Sequence, residues 1–256
     1  MQFSVLASSS KGNATVISSG ITHILVDTGI SALRIRKGLQ ECGLTGKQLA
    51  AILFTHEHTD HVCGLGQLAK KEDLSIYCTR YMGQELRPIA PHARYTYLEP
   101  GSPVQIGDIT VTAFCVSHDA TDPVGYIFES NNKKLGYITD TGKIPNGLTE
   151  LLQGVDALYL ESNYDPSMLR NSGRPLYLIE RIASHFGHLS NEQAGDFVRS
   201  IAHNGLQHLV LAHLSQDCNT PAIASAAMRK VLDELKLPTA LHCAPAATRL
   251  PWLSIN

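Results

Sequence analysis

Thr55-His56-Glu57-His58-Thr59-Asp60-His61 follows directly on an apolar run over residues 51–54, so four potential metal ligands, His56, His58, Asp60 and His61, fall within six residues just after a strand end. Neutral imidazoles and a carboxylate are the donors that divalent zinc, manganese or iron take. On a turn leaving a rigid strand, alternate residues point in different directions, and one ion cannot easily use all four. The stretch predicts a metal site, and its further ligands should come from other strand ends.

Three residues meet that description. His118 ends the apolar run 111–116, Asp140 stands in Thr139-Asp140-Thr141-Gly142 after another, and His213 closes 209–212. Each alone is weak evidence, because a strand-end histidine is often structural and Asp-Thr-Gly is a common turn signature.

Around these points the chain alternates short strands and helices. Runs at 3–7, 15–17 and 24–26, separated by Ser, Gly and Asn, read as a meander. Ser31 caps a helix that stops at Gly43 and leads back to the strand 51–54, after which comes a polar, histidine-rich loop. A helix near 65–71 and strands at 75–78, 95–97, 109–114, 124–129 and 135–139 follow. Strands at 157–160 and 209–212 then alternate with helices over 176–186, 191–203 and 221–235. The segment 162–175 is irregular, either a lid or a surface loop. Nothing marks a boundary, so residues 1–256 are expected to form one domain.

Composition narrows the function. Hydrophobic residues make up 43% of the 256 and charged residues 17%, enough apolar surface for a sizeable core. The formal charge of −2 excludes a basic nucleic-acid coat, so an anionic substrate must be attracted locally, and bound metal ions would reverse the local field. The N-terminus lacks a basic region followed by an apolar one, and no run reaches 18 apolar residues; the expected location is cytoplasmic, with no membrane partner. Six cysteines without a CxxC pair fit reduced thiols. Gly64-Leu65-Gly66 lacks the third glycine of a dinucleotide loop, so no nicotinamide cofactor is implied.

The ordered set HxHxDH, His, Asp, His resembles the metallo-β-lactamase superfamily, and the resemblance spans nearly the whole chain. It implies an α+β fold, a four-layer αβ/βα sandwich with two metals at its edge. His56, His58 and His118 would then hold one metal, Asp60, His61 and His213 the other, and Asp140 would bridge them. Ser8–Asn13, Glu161-Ser162-Asn163-Tyr164-Asp165, Gly187-His188-Leu189-Ser190-Asn191 and Ala212-His213-Leu214-Ser215 with Asn219-Thr220-Pro221 resemble more narrowly the YycJ (WalJ, VicX) family of bacterial metal-dependent nucleases. That resemblance implies a 5′-to-3′ exonuclease acting on DNA or RNA ends with two divalent metal ions, zinc or manganese. The chain departs from the family with Ser9 for Gly, Tyr164 for His, and Glu180 in a region that usually carries Lys; Glu180 is expected to weaken phosphate attraction.

The chemistry follows from the residue types. Two divalent ions lower the pKa of a shared water toward neutrality and neutralise charge on a phosphodiester as it is displaced in line. Asp60 would orient the resulting hydroxide while ligating. His188, in a loop just before a helix, is read as the general acid or a phosphate ligand, and Glu161 as its orienting partner. Ser8–Asn13 has two readings, a turn or an amide-rich concavity in which Ser10 and Asn13 grip a phosphate. The alternative substrate class is a small molecule: a cyclic phosphodiester, lactone or thioester.

Overall fold

Aliphatic runs of four to seven residues, broken by Ser, Gly and Asn turns, build two seven-stranded sheets in the computed structural model, which describes residues 1–256. The first sheet begins with β1 (Gln2–Ala7), β2 (Ala14–Ser18) and β3 (His23–Val26), paired antiparallel. It continues in parallel through β4 (Leu49–Leu53), β5 (Ser75–Cys78) and β6 (Arg94–Tyr97). The second sheet repeats the plan. Here β7 (Pro103–Ile106), β8 (Ile109–Cys115), β9 (Val124–Ser130) and β10 (Lys133–Ile138) pair antiparallel. After them β11 (Ala157–Glu161), β12 (His208–Ala212) and β13 (Ala240–Cys243) run parallel. The last strand, β14 (Leu253–Ser254), returns to the first sheet beside β1.

Parallel neighbours need crossovers, and these supply the helices. α1 (Ala32–Glu41) starts where the Ser31 hydroxyl accepts from Arg34 N, and its Ile35 and Leu39 are buried on the first sheet with residues of α3 (Leu65–Ala69) and α4 (Arg80–Leu86). A short turn, α2 (Thr59–Val62), precedes α3. On the second sheet lie α5 (Leu148–Leu151), α8 (Asn191–Ile201) and α9 (Pro221–Glu234), whose apolar faces share a 21-residue cluster with that sheet's outer side. α6 (Pro166–Arg170) and α7 (Leu176–Ile182) lie between β11 and α8. The result is the four-layer sandwich, α1, α3 and α4 outside one sheet and α5, α8 and α9 outside the other. Tyr137 and Tyr159, both fully buried, stack at 4.0 Å in the inter-sheet core. No helix is long and apolar enough to cross a membrane.

The elements differ from the sequence reading in several places. The histidine-rich loop contains the helical turn α2, closed by His61 N to His58 O at 2.8 Å. The irregular segment 162–175 contains α6, capped by Asp165, which accepts from Met168 N, with Pro166 at the first helical position. The helix expected over 176–186 stops at Ile182, because the chain folds back so closely at Gly187 that a Cβ there would lie 2.1 Å from Ile182 O. Strands β7, β13 and β14 and helices α4 and α5 are additions to that reading. The three strands lie at sheet edges, where β7 buries only Ile106 and β13 buries no residue, so their periodicity is faint.

Candidate metal centre and active site

The candidate ligands follow the carboxyl ends of strands, the end at which loops of an α/β sheet converge. His56 comes three residues after β4, His118 three after β8, Asp140 two after β10, and His213 directly after β12. His58, Asp60 and His61 come from α2 and the residue capping it. Gly29 lets this turn close: a Cβ at that position would stand 1.6 Å from Asp60 O. The two sheets are joined at the same point by Val124 N donating to Thr55 O at 2.9 Å.

The structure brings all seven residues together. One ligand atom from each of His56, His58 and His118 lies within 4.8 Å of the other two, and the same holds for Asp60, His61 and His213. Asp140 lies between the triplets, its Oδ2 3.2 Å from His61 Nε2 and its Oδ1 3.8 Å from His118 Nε2.

Most of the rings are held from behind. His61 Nδ1 meets Asp27 Oδ2 at 2.8 Å, His118 Nδ1 meets Gly187 O at 3.0 Å, and His213 Nδ1 meets Glu161 Oε1 at 3.1 Å. His56 Nδ1 is 3.1 Å from the Thr55 hydroxyl, which itself donates to Asp27 at 2.8 Å. A ring whose Nδ1–H is engaged presents the lone pair of Nε2, the tautomer a metal requires. His56 Nε2 is buried without any hydrogen-bond partner, an orphan that a cation would satisfy. Imidazole and carboxylate in this proportion fit a divalent transition metal.

The charges point the same way. Burial alone would raise the Asp60 carboxyl, but hydrogen bonds from His213 and His61 outweigh it and hold the group far below the usual carboxylate range. Burial alone would lower His213, yet Asp140, Asp60 and Glu161 push it up to about 10. The carboxylates thus favour positive charge at His213 and His61, whereas burial lowers His56 and His118, which favours their neutral, ligating form. Its backbone is also unusual: Asp27, Asp140 and His213 all have left-handed φ, at 60°, 50° and 53°.

Glu161 is fully buried and takes four hydrogen bonds. Its Oε1 lies 2.7 Å from His188 Nδ1 and 3.1 Å from His213 Nδ1; its Oε2 accepts from Thr141 N and Leu189 N. His188 thus keeps Nε2 for the cleft, which its side chain lines with 20% exposure. This open cleft of about 360 Å³ also takes in Lys11, Arg174 and Arg181.

Ser10 lines the cleft, 3.3 Å from Asn163 Nδ2. Asn13 does not. It is fully buried, its side chain bonded to Ser8, to the backbone of Ser9 and Asp60, and 3.1 Å from His61 Nε2, so it braces the ligand loop. Glu180 also stays out of the cleft wall, where Arg181 stands instead, so the expected weakening of phosphate attraction by Glu180 does not hold locally. Sequence reasoning missed Asp27. A signal was present: Asp27-Thr28-Gly29 follows β3 as Asp140-Thr141-Gly142 follows β10, each where its sheet changes from antiparallel to parallel pairing. Arg174 and Arg181 left no signal, being two lone charges at either end of the largely apolar run 175–180.

A family profile described as "Beta-lactamase superfamily domain" matches residues 22–214. Exodeoxyribonuclease YycJ of Bacillus anthracis is 36% identical over 237 residues, 91% of this chain and 90% of the relative. The chain belongs to the metallo-β-lactamase superfamily, a family of hydrolases, in its YycJ/WalJ branch. Exodeoxyribonuclease WalJ of Streptococcus pneumoniae is 32% identical over 92% of this chain and 90% of its own length. Among solved structures, the metallo-β-lactamase-fold protein YhfI of Bacillus subtilis superposes with a TM-score of 0.75 at 17% identity, covering 98% of this chain and 99% of that one, which bears on the fold.

Proposed function

We propose that this member of the YycJ/WalJ branch is a two-metal phosphodiesterase of a single domain that removes nucleotides from nucleic-acid ends in the 5′-to-3′ direction. The observation that carries the reading is the pair of three-residue donor sets flanking Asp140, with His188 beside them. In this reading His56, His58 and His118 hold one ion, Asp60, His61 and His213 the other, and Asp140 both; zinc or manganese suits such donors. When bound, the ions supply Lewis acidity toward the phosphoryl oxygens and lower the pKa of the attacking water.

The chain's own groups do the rest. Asp60, which lines the cleft, orients the attacking water, whose proton passes to solvent. As the water oxygen forms its bond to phosphorus, the bond to the leaving oxygen breaks, and His188 Nε2 gives that oxygen a proton. Glu161 accepts from His188 Nδ1 and so turns the opposite nitrogen, Nε2, toward the cleft, where the imidazolium form of the ring carries the proton that is given. A cleft of about 360 Å³ is near the small end of ligand sites, which suits the end of a strand better than a continuous polymer. The names of both curated relatives support DNA as substrate.

The test is hydrolysis of DNA and RNA labelled at either end, with zinc or manganese, comparing wild type with Asp140→Ala and His188→Ala. Stepwise release from the 5′ end, lost in Asp140→Ala, is the expected result. Hydrolysis of small phosphodiesters or thioesters with no polymer cut would overturn the reading in favour of a small-molecule hydrolase.

A further inference from the structure

The segment over the cleft carries a combination that the two-metal chemistry does not use. Helix α7 buries none of its seven residues, although Leu176 and Tyr177 are 69% and 71% exposed. Just beyond it Phe186 is 61% exposed, and its carbonyl accepts from Asp119 N at 3.1 Å, which ties its backbone to a residue that lines the cleft. The helix is held by Ile179 and Ile182, which pack partly buried against Tyr164, Leu169 and Cys218, while its Tyr177 ring faces water without a partner. Something placed against it would supply the missing contact.

The flanking charges identify the chemistry of the occupant. Arg181 lies one turn after Tyr177, on the same helix face, and Arg174 lies three residues before it. Both arginines line the cleft with Lys11. Each arginine is held at the wall by one carboxylate: Arg174 by Asp217 at 2.8 Å, and Arg181 by Asp119, through Nε at 2.8 Å. Paired guanidiniums keep further N–H donors free, whereas Lys11 has no carboxylate partner among the ion pairs of the structure. Exposed aromatic residues that alternate along the chain with cleft-lining arginines match a ligand with flat, apolar faces joined by anionic links. That is a strand of nucleotides, whose bases stack on aromatic rings in a sequence-tolerant way.

We infer that Tyr177 and Phe186 form a stacking platform for an unstacked base adjoining the scissile phosphate, with Arg174 and Arg181 receiving the neighbouring phosphates. The inference rests on the nucleic-acid reading and extends it from the reacting phosphate to the bases. Tyr177→Ala and Phe186→Ala alter exposed side chains, so the variants fold, as their circular dichroism and Tm should show.

The experiment is a cycle on wild-type and variant enzyme with two oligonucleotides, one intact and one abasic at the second and third nucleotides from the end that is cut. On the intact strand each variant raises KM about tenfold, in line with stacking on one base. On the abasic strand wild type itself shows the raised KM, and the variants add little to it. Tyr177→Phe, which keeps the ring, restores the wild-type value on the intact strand. Variants with wild-type KM on the intact strand, or an equal loss on both strands, would overturn the platform while leaving the nuclease reading in place. A wild-type enzyme that hydrolyses bis(p-nitrophenyl) phosphate but neither oligonucleotide would overturn the nuclease reading, and the platform with it.

Discussion

Glu161 Oε1 lies 2.7 Å from His188 Nδ1, and the same oxygen is 3.1 Å from His213 Nδ1, so one buried carboxylate aims both the proposed acid and a proposed ligand. Glu161→Gln preserves shape but loses the negative charge between the two rings. The expected outcome is a kcat about 10 to 100-fold lower with KM little changed, at metal concentrations that keep the site filled. Steady-state kinetics with metal content measured on the same sample separates this from simple loss of ligand.

Metal removal should act on stability as well as activity. Chelation by EDTA is expected to abolish hydrolysis and lower Tm, both restored by zinc or manganese. At a hundred times its Kd a bound ion contributes about 2.7 kcal/mol, which corresponds to roughly 5–10 °C for a chain of this size. A Tm indifferent to EDTA and to added metal would argue against a metal in the cage.

Asp27 is the cheapest test of how the cage is braced. Its carboxylate is buried, accepts from Thr55 N and Thr55 Oγ1, and meets His61 Nδ1. Asp27→Asn keeps the volume but can offer only one carbonyl oxygen where two carboxylate oxygens served. Metal affinity is expected to fall about 10 to 100-fold, read by competition with a chromophoric chelator, while the sheets stay intact by circular dichroism.

A fourth expectation concerns pH and lies away from the cage. His242 on β13 is half-buried, 3.3 Å from His208 on β12, and burial, helped by His208, lowers its pKa below 6.5. The folded state therefore binds fewer protons than the unfolded one, and this pair's contribution is complete above pH 6.5 and lost as pH falls toward the folded pKa. Between about pH 7.5 and 5, His242→Gln should lose less Tm than wild type does. An identical slope for both proteins would remove the pair from the account.

What could be read in the sequence had local causes. Strands β1 to β6 and the ligand strands show because their apolar runs are short and bounded by turn residues, and Ser31, Ser190 and Thr220 announce helices whose caps they form. The histidine motif shows because four donors fall within six residues. Asp27 and Asn13 stayed hidden as braces because their partners, His61 and Asp60, lie 34 to 48 positions away, and only the fold closes that distance. The cationic wall of the cleft was likewise invisible, since Lys11 and Arg181 share a surface only after both sheets have formed.

The left-handed backbone at Asp27, Asp140 and His213 has a consequence for how this chain would respond to selection for heat resistance alone. A side chain in that region forgoes roughly 1 kcal/mol that glycine would not. His213→Gly would relieve that strain, but it would also strip a buried ring from Asp60 and Glu161, so heat selection alone should keep the histidine. At these peptide units the contacts that hold the strained backbone are the contacts that build the cage, so durability and chemistry are secured together.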